Sequence, residues 1–89
     1  MSKIYIHEHA FKHGIEEDEI LEAWDNFVAK SKRNMPKDDQ VVCVGFSARR
    51  NRAIQMIAVE NNKGLMIFHA MTPPQNSVLK ELGIERRKR

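Results

Sequence analysis

The sequence predicts an α+β fold with helices packed on an antiparallel sheet, and three observations carry that reading. Apolar residues recur at helical spacing through residues 16–30. Three runs rich in β-branched and apolar residues fill 41–71, joined by connections short enough for hairpins. A TPPQ tetrapeptide announces a closing helix. With 89 residues, 42% hydrophobic and 30% charged, the chain reads as one globular domain, 1–89, with a basic tail at 84–89.

The first element is a short strand, KIYI, with Ile4 and Ile6 on one face and Tyr5 on the other. HEHAFKHG comes next, three histidines in eight residues, and its residues 8–13 read as a short helix ended by Gly14, since glycine accepts the left-handed C′ conformation. In residues 16–30 the stripe Ile20, Leu21, Trp24, Phe27, Val28 marks an amphipathic helix, with Trp24 placed in the core. Its opening acids, Glu16 to Glu19, suit the positive end of the helix dipole and Lys30 the negative end. SKRNMPKDD then reads as a loop, and a three-stranded meander occupies 41–47, 53–60 and 65–71, linked by ARRNR and NNKG, where Asn62 and Gly64 suit positive φ. At TPPQ, Thr72 is the expected N-cap, Pro73 the first helical residue and Gln75 the capping-box partner; Val78, Leu79 and Leu82 form the apolar face and Gly83 the stop.

Charge is segregated. Residues 16–25 hold six of the twelve acids and no base, while twelve of the fifteen basic residues fall into three patches: Lys30, Lys32, Arg33 and Lys37; Arg49, Arg50 and Arg52; and Lys80 with Arg86 to Arg89. Such patches suit a polyanion, because neutralised phosphates release counterions.

Several chemistries are disfavoured. There is no Gly-rich phosphate loop, CxxC or GxSxG. The single Cys43, alternating with valines, reads as a buried thiol rather than a nucleophile. His9 and His13 would share a helical face, but HAFKH lacks the glutamate of HExxH and further ligands, so neither metal nor cofactor is expected. No apolar stretch approaches the ~18 residues of a membrane span, and the N-terminus has no uninterrupted apolar h-region, so a cytoplasmic protein is expected. What remains is His69 on the third meander strand, placed by alternation on one face with Leu65 and Ile67, near the arginine-rich hairpin. Imidazole titrates near neutrality and can transfer protons while arginines stabilise phosphorane charge.

FKHGI at 11–15, ILEAWDNF, VCVGFSARRNRAI and the LMIFHAMTPP junction together resemble the BrnT family of bacterial toxins, within the wider RelE/ParE-like group. The resemblance covers roughly residues 3–82. It implies a RelE/BrnT-like fold: a short strand, two N-terminal helices, a three-stranded antiparallel meander and a C-terminal helix. It also implies a type II toxin that cuts RNA and inhibits translation. The partner would be a cognate DNA-binding antitoxin of the ribbon-helix-helix kind, through which the toxin could oligomerise. Lys12, His13 and Gly14 match the family's KHG, and Arg52 its basic residue opening the second meander strand. Where the family usually ends its last strand in a Ser-Ala-Arg-like sequence, this chain has His69-Ala70-Met71, so either His69 takes over part of the chemistry or the chain is a weakened or inactive relative. The expected site is therefore His69 and Arg52 for catalysis, with Lys12, His13, Arg49 and Arg50 on RNA phosphates. The alternative is a non-catalytic RNA-binding or protein-interaction module on the same scaffold.

Overall fold

The computed structural model describes residues 3–33, 40–62 and 64–84, and it contains five strands where the sequence predicts four. The elements are β1 (Ile4–Ile6), a 3-10 helix (Glu8–Phe11), α1 (Glu17–Asp25), β2 (Phe27–Lys32), β3 (Gln40–Ser47), β4 (Arg52–Asn61), β5 (Gly64–Met71) and α2 (Asn76–Glu81). Most of the expected loop, with Lys37, and the basic tail from residue 85 onward lie outside the described residues. The sheet order is β1-β5-β4-β3-β2, with β1 parallel to β5 and every other pair antiparallel. This is an α+β architecture containing the predicted meander, and among the described residues no helix is long and apolar enough to cross a membrane.

The fifth strand corrects the helix expected over 16–30. α1 stops at Asp25, and Asn26 caps it with φ −99° and ψ 45°. Asp and Asn compete for backbone hydrogen bonds and favour helix ends, so the Asp25-Asn26 pair ends the helix although Phe27 and Val28 continue its stripe. Phe27 then faces Gly45 in β3, with a bulge between Phe27 and Ala29. Lys30 does not cap a helix; its ammonium lies over the rings of Trp24 and Phe27, 4.3 and 4.2 Å from their centroids.

Both faces of the central strands are covered, which explains the unbroken VVCV run. Val41 and Cys43 join Ile54, Met56, Ala58, Ile67 and Ala70 beneath Ile20, Ala23 and Trp24 of α1; Val42 and Val44 meet Val78 of α2 on the other face. Gly45 lets α1 approach β3, because a Cβ there would run into the carbonyl of Ala23.

Two other boundaries shift. The N-terminal helix is a single 3-10 turn, continued by a turn to Gly14 at φ +79°. α2 starts three residues later than expected: Gln75 is its N-cap, and Thr72 instead donates its hydroxyl to the Ala53 carbonyl at 2.6 Å. The cause is Pro74, which disfavours helical backbone at the residue before it, Pro73. Gly83, at φ +76°, ends the helix as predicted.

Candidate active site

β1 sets the site by its brevity. Its parallel ladder with β5 ends at Ile6–Ile67, His7 N then bonds the Ile67 carbonyl at 2.8 Å, and the chain coils into the 3-10 turn beside the rest of β5. His7 caps that turn, its Nδ1 accepting the His9 amide at 3.1 Å. Ala10 is buried in the core, whereas Lys12 and His13 remain exposed.

β5 brings its own histidine to the same place by a bulge. Ile57 pairs with His69 and Ala58 with Ile67, leaving Phe68 as an extra residue. One additional residue reverses the facing of the strand beyond it. Leu65 and Ile67 therefore pack against the α1 core while His69 emerges on the opposite face, correcting the simple alternation. There it meets His13, ring centroids 6.0 Å apart at 78°. His9, Lys12, His13, Ile57, Phe68 and His69 line an open cleft of about 370 Å³, with no carboxylate among these lining residues.

Behind the cleft, wholly buried Gln55 accepts the Gln75 backbone N–H through Oε1 at 2.8 Å. Its Nε2 lies 3.1 Å from His69 Nε2 and 3.3 Å from Gln75 Oε1. Sequence reasoning missed Gln55, although a lone amide in the apolar strand RAIQMIA was a signal, because a buried amide requires partners. Burial lowers the His69 pKa from its ordinary 6.5, and the neighbouring charges of His13 and then Arg33 lower it further.

The expected arginines are elsewhere. Arg52 sits opposite Ser47 at the start of β4, five residues before Ile57, so roughly 16 Å of strand separates it from the His69 position. It grips buried Glu19 through Nε at 2.6 Å and Nη2 at 2.8 Å. Arg49 bonds Asp18 at 2.7 Å, and Arg50 lies 3.5 Å from Glu16. The acidic start of α1 thus holds the β3–β4 loop, a sufficient role for both clusters, and Glu22 adds bonds from Ser47 Oγ and Ala48 N. Lys12, His13 and His69 come together; Arg49, Arg50 and Arg52 do not join them.

Cys43 is wholly buried, and burial pushes its thiol up to about 11, leaving no thiolate near neutrality. A second, apolar groove of about 550 Å³ lies on the α1 side, lined by Ile4, Trp24, Phe27, Lys30, Val41 and Leu65 among others. Comparison of the chain with protein-family models, curated proteins and solved structures finds no match.

Proposed function

We propose that the chain is a metal-independent endoribonuclease, the cytoplasmic toxin of a BrnT-like, RelE-type toxin-antitoxin pair with a ribbon-helix-helix antitoxin as partner. The observation that carries the catalytic reading is the meeting of His13 and His69 at 6.0 Å on a cleft that also holds Lys12 and His9. Imidazoles beside an ammonium suffice to cut RNA without a metal, because the substrate's 2′-OH is the nucleophile. In this scheme the 2′-oxygen bonds to phosphorus as the bond to the 5′-oxygen breaks. His13 takes the 2′-OH proton, His9 gives one to the departing 5′-oxygen, and Lys12 balances phosphoryl charge. His69 supports the same phosphate, in the place where the family resemblance leads one to look for an arginine at Met71.

The test is incubation of the full chain with single-stranded RNA in EDTA. Fragments ending in a 2′,3′-cyclic phosphate and a 5′-OH are expected, together with growth arrest on expression and loss of cutting in His13→Ala. Intact RNA with correctly folded protein overturns the reading.

The ion-paired arginines and the apolar groove favour a second reading, a non-catalytic module that binds RNA weakly or docks a partner protein. Its signature is a stable complex without RNA turnover.

A further inference from the structure

We infer that Gln55 is a positioning residue that fixes which nitrogen of His69 carries the proton, and so divides the labour among the cleft histidines. The inference rests on the catalytic reading for its consequence, but its geometry stands alone. A backbone amide can only donate, so the Gln75 N–H, 2.8 Å from Gln55, must meet the side-chain oxygen. Gln55 therefore turns its NH₂ toward His69, an orientation repeated by the 3.3 Å bond from the same nitrogen to Gln75 Oε1. An amide NH₂ has no lone pair to offer. The nitrogen facing it, His69 Nε2 at 3.1 Å, must accept, which places the imidazole proton on Nδ1.

The cleft gains three properties from this bond. Protonating His69 at Nε2 would set two N–H groups against each other, so the network holds the ring neutral. With its lone pair occupied by Gln55, His69 is a poor proton acceptor and acts as an N–H donor toward a phosphoryl oxygen. The charges of His13 and Arg33 act in the same direction, Lys12 and His9 line the cleft beside them, and the one nearby acid among the described residues, Glu81 of α2, is paired with Arg33. Proton transfer then rests on exposed His13 and His9. Because Gln55 also holds the first residue of the α2 cap, substrate chemistry and helix docking share one buried amide.

The experiment is two-bond nitrogen–proton correlation NMR on the full chain with isotope-labelled histidine, which reports each ring's tautomer directly. His69 is expected as the neutral Nδ1–H form at neutral pH in the unmodified protein. A neutral Nε2–H form, or a charged ring, overturns the inference without any variant having to fold. In Gln55→Glu the carboxylate still accepts the Gln75 N–H but can only accept from His69, so the proton should move to Nε2 and the titration midpoint should rise. An unchanged tautomer in folded Gln55→Glu overturns it as well. If the chain cuts RNA, Gln55→Glu should slow cutting by about 10- to 100-fold through loss of the phosphate donor. Absence of cutting in the unmodified protein would instead count against the catalytic reading alone, leaving the tautomer result to decide the role of Gln55.

Discussion

Arg52 and Glu19 form a bidentate pair across the α1–β4 interface, with bonds of 2.6 and 2.8 Å to a carboxylate whose side chain is 1% exposed. These bonds, foremost among the causes, hold the Glu19 carboxyl below its ordinary 4.5 although burial opposes them; the charge of Arg50, 3.8 Å away, adds to the effect. The neighbouring Arg49–Asp18 pair is exposed on both sides, 59% and 55%, and surface pairs of that kind contribute little.

Arg52→Ala should therefore destabilise the protein far more than Arg49→Ala, since it strands a buried carboxylate without its partner. Adding Glu19→Leu to Arg52→Ala should recover much of the loss, as removal of both charges leaves no unpaired group. Denaturant midpoints of the three variants check this. Equal effects of Arg52→Ala and Arg49→Ala would exclude a special role for the buried pair.

The same pair contributes to stability in acid. Glu19 has a folded pKa below its unfolded value, so the unfolded chain binds the proton first as pH falls. Its stabilisation is complete above the unfolded value of 4.5 and drains away as pH falls through the folded value. Stability of Glu19→Gln should accordingly vary less than that of the unmodified chain across this acid range, as read from thermal midpoints.

Gly45→Ala tests the packing of α1 on β3. A methyl at this position meets the backbone carbonyl of Ala23 rather than a movable side chain, so relief requires the helix itself to shift. The expected cost is at least the ~1–3 kcal/mol typical of overpacking. Gly14→Ala has open space around the new methyl, and its cost should be limited to the strain of φ +79°. Chemical denaturation of both variants separates clash from strain.

Much of this fold was legible in the chain because patterns with one period survive tertiary packing. The meander, the Trp24 stripe and the Gly83 stop all arise from local spacing and glycine chemistry. Phe27 and Val28 fit both a helical stripe and a strand, and only the Asp25-Asn26 end decided between them. The His13–His69 meeting was not legible: it depends on one unpaired residue, Phe68, which turns His69 away from Leu65 and Ile67. The arginines misled for a related reason. Charge patches in sequence show that cations are near one another, not which acids from a distant helix will neutralise them.

His69 supplies a second, separate pH dependence. Its folded pKa lies below 6.5, so on acidification the unfolded chain takes up this proton before the folded one does. The associated stability is whole above about pH 6.5 and declines as pH drops toward the folded value, where the Nε2 bond to Gln55 must break. His69→Leu, which cannot titrate, should flatten the dependence of the thermal midpoint in that window while leaving the Glu19 contribution in place. An unchanged slope would mean that another group governs it.

Substitutions in the cleft should separate catalysis from general attraction to RNA. Lys12 and His13 are exposed at the turn that Gly14 closes, so removing either side chain leaves no buried partner unsatisfied, and stability should change little. If His13 carries the proton, His13→Ala should lower the cutting rate by about 10²–10⁴-fold with RNA affinity nearly intact. Lys12→Ala should weaken both binding and rate, and its binding loss should shrink as salt rises, because the lysine acts through charge. Arg50→Ala, at a residue already facing Glu16 and Glu19, should alter neither rate nor affinity comparably. Cutting rates and filter-binding affinities at two salt concentrations measure all three. Loss of cutting in Arg50→Ala with His13→Ala still active would return the active site to the β3–β4 loop and away from the histidine cleft.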